Sequence, residues 1–260
     1  MNKELKDKYL DVINDNVNVG KSSVCKEFII LLAGVAGLCF LIYYLAGFGA
    51  SIAIDRMSDK TQVKIEKALS IRPIKHKEKP SASIQKLEKI KPQIVALDKK
   101  LHGKSDFPIF ETDDKEINAF IAPDGSIYFT QGLLKEIKDE ETLAFILAHE
   151  LAHYAHRDHL KEIGREIIAG IIISVLTNGQ REIHGTVGCL TELNRVKYSQ
   201  RQEIEADLYA NRVVLKLYGR NTGAVEFFEF LEKKENIPEF FLYFSTHPSP
   251  QKRLKLIKNN

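Results

Sequence analysis

The residues best suited to chemistry in this chain form the stretch His149-Glu150-Leu151-Ala152-His153. On an α-helix the two histidines share a face and lie about 6 Å apart along the axis, so both imidazoles can reach one zinc ion. Glu150 lies beside that face and is positioned to take a proton from a water that the metal activates. The surrounding residues are apolar and favour a helix, which this chemistry requires. The motif therefore predicts a zinc hydrolase, against the alternative of a helix whose histidines make ordinary hydrogen bonds.

A catalytic zinc ion needs a third protein ligand, and there are two candidates. The first, His159, has the outer spacing of the metzincin motif H-E-x-x-H-x-x-G-x-x-H, but His156 replaces the glycine at which that motif turns. We expect the helix to continue past His159, which would point its ring about 80° away from His149. The only methionines, Met1 and Met57, lie upstream, so the Met-turn of that class is impossible. The metzincin interpretation is therefore disfavoured.

The second candidate ligand lies about fifty residues later, in the stretch QEIEAD that begins at Gln202. Glu203 can supply the carboxylate of a zinc site that has two histidines. Asp207 is four residues further on, shares a helical face with Glu203, and can accept the second ring proton of a zinc histidine. The spacing therefore favours Glu203 as the third ligand of one Zn²⁺ ion per chain, with Asp207 supporting a ligand.

These motifs resemble those of the membrane-associated gluzincins that include HtpX, BepA and the CAAX prenyl endopeptidase, which form peptidase family M48. Besides HELAH and ExEAD, the similar stretches cover about residues 105–258: Asn118-Ala119-Phe120 before a Pro-Asp-Gly turn, IYFTQGLL, YSQRQEIEAD and STHPSPQKRL. The resemblance implies that His149, His153 and Glu203 are zinc ligands and that Glu150 is the general base.

The resemblance also implies a fold and a role. The fold is α+β and mostly helical, a zincin-type metalloprotease domain with a small antiparallel sheet. The role is that of an endopeptidase that disposes of misfolded or unassembled envelope proteins. The competing function is a membrane-anchored zinc-binding chaperone or adaptor without proteolytic turnover. Glu150 argues against it, because a purely structural metal site needs no base.

The chain also suggests where a substrate would bind. The strand-like stretches EINAFIA and SIYFT flank Pro123-Asp124-Gly125, a pattern that predicts a hairpin. The run Asn118–Ala122 can present an unpaired strand edge, on which an extended substrate adds as a further strand. Asn118, Ala119 and Phe120 are therefore predicted substrate-binding residues. Such binding depends on hydrogen bonds to the substrate backbone more than on contacts with its side chains, so broad specificity is expected.

His247 is the second predicted catalytic residue. It lies in Ser245-Thr246-His247-Pro248, a short loop followed by a helix that begins Ser249-Pro250. A neutral ring there could occupy the open zinc position at rest, and a protonated ring could donate to the oxyanion. Both roles remain open.

Composition limits the remaining possibilities. The chain has 260 residues, 44% hydrophobic and 28% charged, which excludes a wholly disordered or collagenous chain. Its net charge of +3 is too small to argue for nucleic acid binding, and none is expected. Its three cysteines lack the spacing of a metal site. We divide the chain into a polar tail (1–27), a transmembrane helix (28–54), a basic juxtamembrane stalk (55–104) and the metallopeptidase domain (105–260).

The segment from Phe28 to Ile54 contains no charged residue and is long enough to cross a bilayer. It is too long for the apolar core of a cleaved signal peptide, and Leu38 before Cys39 does not fit a lipoprotein signal. We predict one spanning helix in contact with lipid, where HtpX has several, and hence a water-exposed site. The stretch 55–104 carries a local net charge of +8. This pattern predicts either a solvated, partly helical stalk or a surface that faces anionic lipid.

Location and one apolar run remain open. We expect a single-pass protein of the bacterial inner membrane that acts on unfolded or misfolded proteins. The basic residues that flank the span favour a cytoplasmic catalytic domain, whereas the resemblance to periplasmic members favours the other side. The apolar run 167–176 is too short to span a membrane. It is expected to be buried in its own domain or to lie at the bilayer surface, with a re-entrant segment as the alternative.

Overall fold

The structure is a computed structural model that describes residues 24–69, 74–177, 198–234 and 250–258, with a few positions among the first nine. Within these ranges the helices are α1 (Val24–Asp55), α2 (Asp59–Leu69), α3 (Ala82–Ala96), α4 (Gln131–Glu136), α5 (Glu140–Ala155), α6 (Asp158–Leu176), α7 (Gln200–Tyr218), α8 (Thr222–Lys234) and α9 (Pro250–Lys258). The strands are β1 (Ile109–Thr112), β2 (Ala119–Ile121) and β3 (Ile127–Thr130). The chain divides into two compact units, Met1–Leu45 and Ala46–Asn260.

Helix α1 is the one helix in the described part of the chain that is long and apolar enough to cross a membrane. It has 32 residues, and none of its most apolar stretch is buried. In length and composition it fits the predicted span of residues 28–54. Most of it forms the described part of the first unit, and its last turns belong to the second.

The sheet of the second unit has three strands in the order β1-β3-β2. Strands β2 and β3 form the predicted antiparallel hairpin, in which Phe120 lies opposite Tyr128. Gly125 in its turn has a φ of +86°, which a residue without a side chain adopts at little cost. Strand β1 joins β3 in parallel, so the sheet is mixed and not purely antiparallel as expected. The predicted class, α+β and mostly helical, is confirmed.

Helix α5 runs through the hydrophobic core and is buried along almost its whole length. It packs against α7, α8, α3 and β2. Helix α3 contributes Ile84, Leu87, Ile90 and Ile94 to the same core. The structure therefore does not begin a domain at residue 105, and the second half of the predicted stalk is part of the packed unit. The spacing of those four residues follows a helical period, while Lys86 and Lys89 between them face solvent.

The predicted continuation of the metal-binding helix past His159 is wrong. Helix α5 ends at Ala155, and α6 begins at Asp158. Between them Arg157 adopts a left-handed backbone with a φ of 57°. The Arg157 guanidinium donates to the carbonyl oxygens of Ile54 and Met57, at 2.6 and 2.7 Å. These contacts hold a conformation that an arginine rarely adopts unaided.

For helix α6 the structure contradicts one of the expected placements of the apolar run, burial within its own domain. Its first half packs on the domain, with Leu160 and Ile163 buried. Its second half contains the predicted apolar run, yet 75% of Val175 and 59% of Leu176 are exposed. The run is therefore not buried within the described part of its own domain.

Candidate metal centre

The start of α5 is fixed by hydrogen bonds from two directions. The carboxylate of Asp139 accepts from the backbone N–H and the hydroxyl of Thr142, which caps the first turn. The buried carboxylate of Glu141 accepts from the backbone N–H of Gly223, 2.6 Å away, at the start of α8. A Cβ atom at Gly223 would lie 2.5 Å from the Thr142 nitrogen, so only glycine permits this approach. These contacts hold the helix that carries the histidines against α8.

Helix α7 supplies the acidic residues of the centre. It begins with a capping box in which the side chains of Ser199 and Gln202 each bond to the backbone of the other residue. It ends at Tyr218, where Gly219 forms a left-handed cap. Glu203 and Asp207 are buried on the face of α7 that packs on α5.

The two helices bring His149, His153 and Glu203 together. The Nε2 atoms of the two rings are 3.1 Å apart. The Glu203 oxygens lie 3.4 Å from the His153 Nε2 and 3.7 Å from the His149 Nε2. Two ligands of a tetrahedral zinc ion at roughly 2.0–2.1 Å are about 3.4 Å apart, so these atoms are spaced like three ligands of one ion. Among the described residues this is the group of side chains able to hold a metal.

The other nitrogen of each ring meets a carboxylate. His149 Nδ1 is 3.0 Å from Asp207, and His153 Nδ1 is 2.9 Å from Asp158. Burial lowers the pKa of His149 to about 4, although Asp207 acts in the opposite direction, so the ring is neutral as a metal ligand must be. Burial also acts to lower the pKa of His153, but Asp158 and Glu203 outweigh it and raise the pKa. The negative field that retains a proton there also attracts a metal cation.

Arg253 of α9 completes the charge arrangement. Its guanidinium donates to both oxygens of Asp207, at 2.6 and 2.8 Å, and lies 2.9 Å from Glu203 Oε2. All three side chains are almost fully buried. Burial acts to raise the pKa of Asp207, but Arg253 and His149 outweigh it and lower the pKa. The centre holds four buried carboxyl groups, those of Glu150, Asp158, Glu203 and Asp207, against the one guanidinium of Arg253. A divalent cation would balance the excess of acidic groups.

A family model described as Peptidase family M48 matches residues 85–260. The chain belongs to peptidase family M48. This confirms the predicted resemblance and, at the level of the family, the predicted class of metallopeptidase. The match begins upstream of residue 105, in agreement with the position of α3 in the core.

Named M48 proteins are similar to this chain over part of their length. The mitochondrial metalloendopeptidase OMA1 of Arabidopsis thaliana is 31% identical over 67% of this chain and 35% of its own length. The metalloprotease LoiP of Escherichia coli is 29% identical, over 56% of this chain and 59% of its own. The protease HtpX of Legionella pneumophila is 28% identical, over 51% and 61%. The chain thus spans less than two thirds of the length of each.

The remaining residues that the sequence analysis singled out in this M48 chain do not all lie beside the three ligand atoms. Glu150 is buried, with 2% of its surface exposed, next to His149 on α5. His159 is turned away from the centre and lies 3.1 Å from the buried carboxylate of Glu66. Asn118, Ala119 and Phe120 lie at β2, which packs on α5. His247 lies outside the described residues.

Sequence reasoning missed four residues around the centre. Asp158 follows the second histidine by five residues, and a search for acids near His153 would have found it. Tyr198 stacks on the His153 ring with centroids 3.8 Å apart, and burial raises its pKa. Glu66 of α2 accepts from the hydroxyl of Tyr154 at 2.6 Å. Arg253 is far from the motif in sequence, but it lies within STHPSPQKRL, one of the stretches that resemble the family. Glu66 is also far from the motif, and no local pattern connects it with the centre.

Proposed function

We propose that the chain is a membrane-anchored zinc endopeptidase, with His149, His153 and Glu203 as ligands of one Zn²⁺ ion. The observation that carries this proposal is the convergence of these three ligand atoms, with each histidine held by a carboxylate at its other nitrogen. Such outer carboxylates fix the tautomer and orientation of ligand rings. Zinc, when bound, would act as a Lewis acid that polarises water and the scissile carbonyl.

The protein groups carry the proton transfers. Glu150 takes the proton of the attacking water and passes it to the nitrogen of the leaving amine. Its burial beside His149 keeps bulk water from competing for that proton. Asp207 and Asp158 keep the ligand rings in place throughout. His247 remains the proposed residue that donates to the oxyanion or covers the site at rest.

Arg253 is proposed as a positioning residue. It binds Asp207 with two parallel hydrogen bonds, and Asp207 in turn holds His149. Its contact with Glu203 Oε2 leaves Oε1 to face His153. One guanidinium from α9 therefore orients two groups on α7, and through them the metal ligands.

The proposed substrate is an extended segment of an unfolded or misfolded protein. The backbone carbonyl of Asn118 accepts from the N–H of Thr130 in β3, and the Asn118 N–H donates to the Thr130 hydroxyl. Because antiparallel pairing alternates, the N–H and C=O of Ala119 and Ile121 point away from β3, toward the open side of β2 in the described sheet. A substrate strand can pair with these groups, next to the helix that carries the histidines. Disposal of faulty envelope proteins at a bacterial inner membrane, with residues 28–54 as a single-pass anchor, fits this binding mode.

The test is proteolysis of casein by the full-length protein in lipid nanodiscs, with and without a chelator. Glu150→Gln should abolish cleavage, a loss of about 10²-fold or more, while zinc by elemental analysis stays near one per chain. The matched control is Glu140→Gln, an exposed acid at the start of the same helix, which should cleave like the parent. Zinc bound with suppression of aggregation but no cleavage in the parent would favour the chaperone or adaptor instead.

A further inference from the structure

The second half of α6 is an apolar helix that projects from the packed part of the domain. From Ile167 to Thr177 it contains no charged residue. Ile171 is 48% exposed, Val175 75% and Leu176 59%. These positions, with the exposed Ile167 and Ile173, are distributed around the helix and not along one stripe. A helix that is apolar on all sides suits lipid, whereas docking to a protein surface needs only one apolar face.

The first half of α6 lies against the end of α1 that belongs to the same unit. The Lys161 ammonium is 2.9 Å from the Asp55 carboxylate. Gly164 faces Ala50 and Ile54, so closely that a Cβ atom there would touch both side chains. The aliphatic part of the next residue, Arg165, lies over Gly47. Residue numbers rise along α6 as they fall along α1, so the helices are antiparallel where they touch, and small residues permit the contact.

The positions of the charged residues indicate where the membrane surface would lie. The uncharged run from Phe28 to Ile54 has 27 residues, about 40 Å of helix against a hydrocarbon core of about 30 Å. About 10 Å of it can therefore lie among the headgroups. Gly47 is within that range, and so is Arg165 beside it, whose guanidinium pairs with Glu162. The ten residues that follow Glu166 span about 15 Å, half of the core.

The polar side chains of the run are compatible with lipid. The Thr177 hydroxyl donates to the backbone carbonyl of Ile173 at 2.9 Å. A bond of this kind satisfies a hydroxyl that has no water nearby. Ser174 is the one polar side chain between Ile167 and Leu176, and Thr177 follows that run directly.

We propose that residues 167–176 insert into the lipid bilayer to about half its depth. The inference rests on the proposed anchor but not on the peptidase activity. Helix α5, which carries His149 and His153, is separated from α6 by His156 and Arg157 alone. A second membrane contact at α6 therefore holds the end of the metal-binding helix close to the headgroups, where segments of membrane-bound proteins emerge.

The test uses tryptophan, because the chain has none. Ile171→Trp in the full-length protein is reconstituted in phosphatidylcholine vesicles with brominated acyl chains, in the inactive Glu150→Gln background. Its emission should be blue-shifted, and bromine should quench it at least about twofold more than a reporter at the aqueous domain surface. Leu97→Trp, at an exposed position after α3, is that aqueous control. Val175→Trp, at the most exposed position of the run, repeats the measurement if Ile171→Trp does not fold.

The outcomes separate this inference from its premise. Phe40→Trp reports on the anchor, and its quenching together with that of Ile171→Trp supports the proposal. Quenching of Phe40→Trp alone leaves the anchor standing and overturns insertion of α6. If acrylamide quenches Ile171→Trp as it does Leu97→Trp, the run lies in water. If neither quencher reaches it, the run is covered by protein, either another segment of this chain or a second copy. If bromine does not quench Phe40→Trp, α1 is not in the bilayer, and both the proposed anchor and the insertion of α6 are overturned.

Discussion

Helices α5 and α6 follow each other with two residues between them, yet α5 buries ionisable side chains while the second half of α6 exposes apolar ones. Helix α5 buries three ionisable side chains of the metal centre, those of His149, Glu150 and His153. The two histidine rings each contact a buried carboxylate. The second half of α6 exposes isoleucines, valine and leucine and has no ionisable side chain. In these two helices, whether a side chain is buried therefore depends on the packing and hydrogen-bonding partners that it finds, and not on its polarity alone. The predictions below test the two helices against each other.

The largest effect should come from the third ligand. Glu203→Ala removes a zinc ligand of α7, so zinc by elemental analysis and casein cleavage should both fall to background, a loss of about 10²-fold or more in rate. His159→Ala, on α6, should retain zinc, because its ring bonds to Glu66 and not to the centre. Glu205→Ala, an exposed acid of α7, is the matched control. Loss of zinc from His159→Ala with retention in Glu203→Ala would revive the metzincin interpretation.

Arg253 should be the most costly residue for stability. Arg253→Ala leaves the carboxylates of Asp207 and Glu203 buried without their cation, so the free energy of unfolding should fall by about 3–5 kcal/mol. Zinc should then raise the melting temperature more in the variant than in the parent, because the metal would supply the missing positive charge. Arg253→Lys should not restore stability, since an ammonium cannot bind two carboxylates in this geometry. Equal melting temperatures for parent and variant would remove the positioning role.

A matched pair of truncations compares the helices directly. Leu147→Ala in α5 empties a fully buried site and should lower the free energy of unfolding by about 3 kcal/mol. Ile171→Ala in α6 should change it by less than about 0.5 kcal/mol in detergent, since the side chain packs little on the domain. Chemical denaturation followed by circular dichroism measures both. A similar cost at both positions would mean that α6 is packed against protein.

The smallest effect concerns Glu66 and depends on pH. Burial acts to raise the pKa of its carboxyl, but His159, Tyr154 and Gln62 outweigh it and lower the pKa below the ordinary 4.5. The ionised group therefore stabilises the fold above pH 4.5, and this contribution is lost as the pH falls through the lowered pKa. Glu66→Gln should cost about 1–2 kcal/mol at pH 7 and progressively less toward acid, as measured by denaturation across pH. A difference that stays constant with pH would show that the charge of Glu66 is not involved.

The sequence predicts most of what depends on local spacing. Histidines and acids four residues apart identify the faces of α5 and α7, and Gly219 fixes where α7 ends. Prediction fails where distant contacts decide. The end of α5 at Ala155 depends on Arg157, whose left-handed backbone is held by carbonyls about a hundred residues away in sequence. The sequence predicts a solvated stalk where helix α3 lies, because its lysines obscure the period of its buried isoleucines and leucine.

The contact between Arg157 and the end of α1 also limits where the chain can be cut to obtain a soluble domain. The guanidinium binds the carbonyls of Ile54 and Met57 and the carboxylate of Asp59. A fragment that starts at Asp59 would strip two acceptors from a side chain that is only 11% exposed, at the junction that follows the metal-binding helix. A fragment that starts at Ala46 keeps both acceptors, at the cost of one short apolar extension.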